Sequence, residues 1–250
     1  MLEIIGGWEP REAMGYQVAA FSAIRRTTQP LRFVPLMEKA LRYSGLYQRP
    51  HEERNGQLWC PISQAPMATS FANSRFLTPW LAAGQWALFC DFADMLFLAD
   101  PAELFALADD RYAVMVVKRD HAPADGVKMD GQIQTSYARK NWSSVILWNT
   151  KHRANKRLTR EQANTLPGRD LHRFCWLKDK EIGELPPEWN WLVGVDPQTE
   201  VDAGLMPKLL HYTLGIPTMA GYEDGPWSAE WRDELAIMES TRGKLPWQAA

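Results

Sequence analysis

The sequence predicts one α/β domain with a mostly parallel central sheet flanked by helices. Three observations carry that expectation. The chain opens strand–helix–strand. "LEIIGG" (2–7) is a short apolar run ending in Gly-Gly, "REAMGYQVAAFSAIRRT" sets Met14, Val18, Phe21 and Ile24 at helical spacing, and "LRFVPL" (31–36) reads as a second strand. Further short apolar runs follow: "WALFC" (86–90), "YAVMVVK" (112–118), "SSVILWN" (143–149) and "KLLHYT" (208–213). Finally, no internal repeat, low-complexity tract or solvated linker breaks the 250 residues, a length that suits one large core.

The segments between these strands can be read in order. Residues 47–66 are rich in turn formers and predict a loop or hairpin region. "SFANSRFLTPWLAAG" predicts a helix to about Leu77, which Thr78-Pro79 ends or kinks. "DPAE" places Asp100 at an N-cap, Pro101 at the first helical position and Glu103 two residues on, the pattern of a capping box. "GELPPEWNWLVGVDPQ" (183–198) carries too many aromatics for a solvated linker. "SAEWRDELAIMES" (228–240) predicts a C-terminal helix with Ser228 as N-cap. The N-terminal half supplies the parallel strands, and the second half is more irregular.

Composition narrows the function classes. Apolar residues make up 46% and charged residues 23%, ordinary for a globular protein. A formal net charge of −2 gives no global pull towards nucleic acid or a membrane surface. The basic run "KHRANKRLTRE" (151–161) reads first as a solvated face and second as a patch for an anionic acceptor. Twelve Trp are the unusual feature, and indoles serve most often as core filler. The three cysteines, Cys60, Cys90 and Cys175, are odd in number and widely spaced, which argues against a disulfide framework. No signal peptide or membrane span is expected, and a cytoplasmic setting follows from the cysteine usage.

The chemistry concentrates in "WALFCDFADMLFLADPAEL" (86–104). Asp91 and Asp94 directly follow a strand and precede another apolar run, so neither fits a cap. A buried carboxylate without a partner costs several kcal/mol. The two acids are therefore either solvated turn residues or the place of a cation. Carboxylates at the carboxyl end of a parallel strand lie where open α/β sheets bind ligands. Mg²⁺ and Mn²⁺ take carboxylate oxygens and bridge to substrate phosphates. An i, i+3 pair of acids on an extended chain also needs a local turn or bulge to share a face.

Several stretches, in order, resemble GT-A glycosyltransferases, above all the glycogenin-like family 8 and its bacterial galactosyltransferase relatives. "ALFCDFADMLFLADPAEL" resembles their Asp-x-Asp segment with one extra residue. "FANSRFLTPWLA" resembles the donor-binding Arg segment, "NWSSVILWNT" the strand that lines the sugar pocket, "LPPEWNWL" a Leu-Pro…Trp-Asn stretch, and "HYTLGIPT" the late His motif. The resemblance spans roughly residues 3–217. It implies a single Rossmann-like GT-A domain over 1–250, with a nucleotide-binding half (1–118) and a sugar and acceptor half (119–250).

The resemblance also implies an activity: metal-dependent transfer of a sugar from a nucleotide-sugar donor, most often a uridine diphosphate sugar, with retention at the anomeric carbon. Mn²⁺ or Mg²⁺ would be held by Asp91, Asp94 and His211. Donor contacts would come from Gly7, Trp8, Arg75, Asp91, Asn141, Ser143, Ser144 and Gly215. The catalytic residue is left open among Arg75, Asp130, Gln134 and Asn141, with Lys128 and Tyr137 as further contacts from the polar stretch 118–144. The acceptor is left open among glycan, protein and nucleic acid. Two other classes fit parts of the sequence. A nucleotidyltransferase uses a similar sheet and acids, although "GGWEPRE" lacks the Lys its phosphate loop would carry. A non-catalytic nucleotide- or carbohydrate-binding module fits the altered acidic spacing.

Overall fold

The computed structural model describes residues 1–119, 126–128, 132–134 and 142–242. In chain order the elements are β1 (Leu2–Gly7), α1 (Ala13–Arg26), β2 (Leu31–Leu36), α2 (Glu38–Tyr43), β3 (Glu52–Arg54), β4 (Gln57–Cys60), β5 (Ala65–Pro66), α3 (Thr78–Leu81), β6 (Trp86–Cys90), β7 (Met95–Phe97), α4 (Pro101–Phe105) and β8 (Val114–Val116). They continue with β9 (Gly126–Lys128), β10 (Gln132–Gln134), β11 (Val145–Asn149), α5 (Arg160–Thr165), α6 (Gly168–His172), β12 (Ile182–Glu184), β13 (Trp191–Leu192), α7 (Gln198–Asp202), β14 (Leu209–His211) and α8 (Ser228–Arg242).

The central sheet has the order β12-β8-β11-β6-β1-β2. β1 runs parallel to both β2 and β6, and β12 runs parallel to β8. β11 runs antiparallel to its neighbours β6 and β8, so the sheet is mixed although mostly parallel. Alternation of side chains splits the core into two layers, as a pleated sheet dictates. Ala87 and Phe89 of β6 join Ile5, Val114, Ile146 and Trp148 on one face. Leu88 and Cys90 join Ile4, Met115, Val145 and Leu147 on the other. A small second sheet, β13-β14-β7, lies outside the second layer. There Leu96, Leu210 and Trp191 pack with Val18 of α1 and Trp231 of α8. Trp148, Trp189, Trp191 and Trp231 are all fully buried, so these indoles are filler.

Four local expectations change. Thr78-Pro79 does not end a helix but begins α3, because Pro is tolerated at the first helical positions, where its missing N–H has no partner to lose. The segment before it is a 3₁₀ turn, Ser74–Leu77. Asp100 caps α4 by accepting from the Ala102 N–H at 2.7 Å, yet Glu103 does not close a capping box. It turns instead to Lys208 Nζ at 2.9 Å. Ser228 stands inside α8 as its first residue rather than before it. The run 151–161 is the solvated face expected: Lys151, Arg153, Lys156, Arg157 and Arg160 are exposed while Ala154, Asn155 and Leu158 face inward. Cys60, Cys90 and Cys175 are all free cysteines, none in a disulfide.

Candidate functional site

Register decides which residues meet. β1 and β6 are parallel with Gly6 opposite Cys90, so Gly7-Trp8 and Asp91 leave the sheet at the same edge. β11 is antiparallel with Val145 opposite Cys90, so the residues before it, Ser143 and Ser144, arrive at that edge from the other direction. In the small sheet, His211 stands opposite Met95 and Leu192, which sets it beside Asp94 and close behind Asn190. Three chain segments far apart in sequence thus converge on the four-residue turn 91–94.

The turn itself explains the extra residue between the acids. Asp91 N–H donates to the Ser144 carbonyl at 3.0 Å, and Ala93 N–H folds back to the Asp91 carbonyl at 2.7 Å. Phe92 takes the left-handed conformation at φ +59°, rare for a bulky side chain. That costs roughly 1–2 kcal/mol. Its ring is fully buried against Tyr16, Phe33 and Phe97, and burying a Phe side chain returns about 1.5–3 kcal/mol. The aromatic contact therefore outweighs the strain, and the chain reverses so that Asp91 and Asp94 face different partners. Gly15 locks the turn from below: a Cβ there would collide with the Ala93 carbonyl oxygen.

Asp91 belongs to a cationic half. Arg75 Nη1 pairs with Asp91 Oδ1 at 2.7 Å and also donates to the Ser143 carbonyl at 2.8 Å. Arg75 Nε donates to the Ala72 carbonyl at 2.9 Å. The guanidinium is buried over the rings of Phe89 (4.9 Å) and Phe71 (5.5 Å), a cation–π setting. Behind it, His172 Nδ1 lies 2.6 Å from Ser143 Oγ. Burial first, then the charges of Arg75 and Arg49, hold the His172 imidazole well below its usual range, so it is neutral.

Asp94 belongs to a different half. It is buried, and its Oδ2 lies 3.2 Å from His211 Nε2. The Tyr212 N–H donates to the Asp94 carbonyl at 2.8 Å, so the small sheet fixes both residues through the main chain. His211 Nδ1 meets Asn190 Oδ1 at 3.0 Å, while Asn190 Nδ2 donates to Ser144 Oγ at 2.9 Å. With the Asn190 amide oxygen at Nδ1, the tautomer protonated at Nδ1 is the one that turns an Nε2 lone pair towards the Asp94 carboxylate. A cation between the two would be accommodated in that arrangement. An imidazole nitrogen and a carboxylate oxygen are a donor set that suits Mn²⁺, so this pair fits a divalent ion. Among the described residues, no group of three or more His, Cys, Asp and Glu side chains converges as metal ligands would.

Glu12 is the residue that sequence reasoning missed. It precedes α1, is 2% exposed, and pairs only loosely with Arg11, at 3.3 Å. Its carboxyl is pushed up to about 8, by burial first and then by Asp94, with Arg11 opposing and Glu9 and Asp91 adding. Glu12 is therefore mainly protonated at neutral pH and sits in the field of both turn acids. In sequence it reads only as an acid favoured at a helix N-terminus. Asn190 and His172 were also absent from the expected set, although "LPPEWNWL" held the first in plain view.

The other expected residues fall as follows. Gly7 ends β1 and Trp8, half-buried, follows it. A Cβ at Gly7 would run into the Phe71 ring. Gly215 is buried in the turn after β14, its N–H bonded to the Tyr212 carbonyl at 2.9 Å and its face covered by Tyr222. Lys128 and Gln134 are described only as positions on the paired strands β9 and β10. Asp130, Tyr137 and Asn141 lie outside the described residues.

No family model matches the chain. Protein CDI of Arabidopsis thaliana is 44% identical over 233 residues, which cover 93% of this chain and 85% of that one. Among solved structures, the galactosyltransferase LgtC, crystallised with donor and acceptor sugar analogues, matches with a TM-score of 0.58 at 14% identity, over 98% of this chain and 100% of its own. The glycosyltransferase GlyE of Streptococcus pneumoniae matches at 0.56 and 16% identity, over 97% of this chain and 63% of its own. The bifunctional glycosyltransferase WbbM matches at 0.56 and 15%, over 93% of this chain and 51% of its own, so this chain spans about half of WbbM. At such identities the likeness establishes the fold, and that fold is the mixed α/β arrangement of these glycosyltransferases.

Proposed function

The chain belongs to the family of Arabidopsis Protein CDI, and from that premise and its fold we propose that it is a glycosyltransferase acting on a nucleotide-sugar donor. The observation that carries this reading is the convergence of Asp94, His211 and Asn190 with Asp91, Arg75 and Ser143 on one edge of the sheet, where parallel α/β folds take their ligands. The finer reading is a uridine diphosphate sugar, transfer with retention, one domain with nucleotide and sugar halves, and Mn²⁺ or Mg²⁺ as the ion.

In this reading Asp94 and His211, together with Asp91, would hold the divalent ion, which when bound would supply positive charge against the departing diphosphate. The protein's own groups do the rest. Asn190 keeps the Nδ1 proton of His211 in place, so Nε2 stays available. Arg75, already desolvated, directs its guanidinium at developing phosphate charge without having to shed water. Gly7, packed against the Phe71 ring, brings the chain to the end of β1 beside the donor, and Trp8 offers a flat face to the base. Ser143, Ser144, Gly215 and Asn141 line the donor. Asp130, Gln134 and Asn141 remain candidates for the group facing the reacting carbon. LgtC is a galactosyltransferase, and a hexose donor is the corresponding expectation for this chain.

Incubation with a panel of nucleotide-sugars and Mn²⁺ tests the reading: metal-dependent release of nucleoside diphosphate supports it, and absence of any nucleotide binding with any metal overturns it. One observation favours a second reading, a nucleotide-binding module without transfer. Asp91 is engaged by Arg75, which leaves two rather than three metal-ligating side chains together among the described residues. Tight nucleotide binding with no donor turnover would select that module.

A further inference from the structure

Behind His172, the hairpin of β3–β5 carries a second charged cluster that the proposed transfer does not use. Arg49 is 1% exposed. Its Nε donates to Cys60 Sγ at 3.2 Å, its Nη1 to the Leu166 carbonyl at 2.6 Å and its Nη2 to Ser63 Oγ at 3.0 Å. No carboxylate pairs with it among the described residues. A guanidinium stays charged in any protein environment, and a buried charge without a counter-charge is costly.

Hydrogen counting at Cys60 supplies the counter-charge. Ser63 Oγ accepts from Arg49 Nη2 and from the Gly168 N–H at 2.8 Å, which engages both of its lone pairs. Its own proton is then left to turn towards the neighbouring sulfur, and the Ser63 side chain acts to lower the Cys60 thiol. The Ser63 N–H also donates to Sγ, at 3.4 Å. Two N–H donors thus converge on one buried sulfur, with the Ser63 hydroxyl proton available beside them, and among the described residues no hydrogen bond leaves the sulfur. A thiol would add a further hydrogen to a cluster already rich in donors.

We propose that Cys60 is carried as a thiolate, the counter-anion of Arg49, and that this pair clamps the hairpin to the α5–α6 connection beneath the candidate site. Burial acts on the Cys60 thiol in the opposite sense, raising it, and the Ser63 bonds and the Arg49 charge overcome that and bring it below its ordinary value. The other titratable groups facing the cluster are Tyr47, a phenol pushed up chiefly by burial, and His172, held neutral beside Arg49. Neither supplies an anion. The clamp stands on its own geometry, whether or not the chain transfers sugar.

Ultraviolet thiolate absorbance on the full chain tests it directly, because Cys90 and Cys175 are both raised, chiefly by burial. At neutral pH the folded protein is expected to show one thiolate equivalent, absent in Cys60→Ser and lost when the wild type is unfolded in denaturant. Unperturbed thiols titrate near about 8.5. An identical signal in folded and unfolded wild type at neutral pH overturns the proposal, and that comparison needs no variant to fold. Thermal unfolding gives a second arm. Cys60→Ala is expected to melt well below wild type, and adding Arg49→Met is expected to recover part of the loss. A Cys60→Ala melting point equal to wild type overturns the clamp.

Discussion

Asp91 and Asp94 stand three residues apart on one turn, and they live in opposite electrostatic settings. Asp91 answers a buried guanidinium whose remaining bonds go to main-chain oxygens, so its charge is matched within the fold. Asp94 faces the His211 imidazole, whose other ring nitrogen meets the Asn190 side chain. The first is built like a structural ion pair, the second like a socket in which a carboxylate meets an imidazole. The difference teaches that an acidic motif is not one functional unit. Its members take their roles from what the neighbouring segments deliver, here β11 and the 3₁₀ turn Ser74–Leu77 on one side and the small sheet on the other.

The contrast can be broken by mutation. The largest effect is expected at Arg75→Ala, which leaves Asp91 without its cation. Removing one partner of a buried pair costs about 3–5 kcal/mol, so chemical denaturation should show a loss of that order. A loss under about 1 kcal/mol would place Asp91 with the solvated acids instead.

Glu12→Gln should come next. The Glu12 carboxyl is pushed up to about 8, so the folded state holds its proton more tightly than the unfolded chain does. Its stabilising contribution is full below the ordinary carboxylate range of about 4.3 and is lost as pH rises towards that raised value. The variant should therefore gain on wild type with increasing pH across that window, at up to about 1.4 kcal/mol per pH unit. In an Asp94→Asn background the wild-type slope should move to lower pH, because Asp94 is the largest of the charges that raise Glu12. Stability curves of the two variants that run parallel to wild type would remove Glu12 from the site.

The smallest effect on folding, and the sharpest on binding, is expected at Asp94 and its support. Asp94→Asn should abolish Mn²⁺-dependent nucleotide binding while the fold persists, and Asn190→Ala should weaken it by about 10–100-fold by freeing the His211 ring. Calorimetric titration checks both. Nucleoside diphosphate bound as tightly by Asp94→Asn as by wild type would end the socket reading.

Much of the architecture was legible in the sequence, for a physical reason. The strands at 2–7, 31–36 and 86–90 are short apolar runs bounded by breakers, and α1 has a clear apolar stripe, so local patterning and tertiary packing agree there. The antiparallel course of β11 was not legible, because strand direction depends on the connection and "SSVILWN" reads the same both ways. Phe92 was hidden too. No propensity places a Phe at φ +59°, and only the pocket of Tyr16, Phe33 and Phe97 makes it stable. In the site, Asp94 and His211 were expected together and are together. Glu12 escaped because a buried acid and a solvated helix-start acid look identical in one dimension.

Gly15 has a consequence for anyone reshaping this site. With the helix backbone pressed against the Ala93 carbonyl, and Ile216 close on the other side, the packing beneath the 91–94 turn has no slack. On the proposed function, altered donor preference would have to be sought around this point, at side chains such as Trp8 and Ser143, rather than at position 15. Any library that diversifies position 15 will return misfolded clones rather than altered specificities.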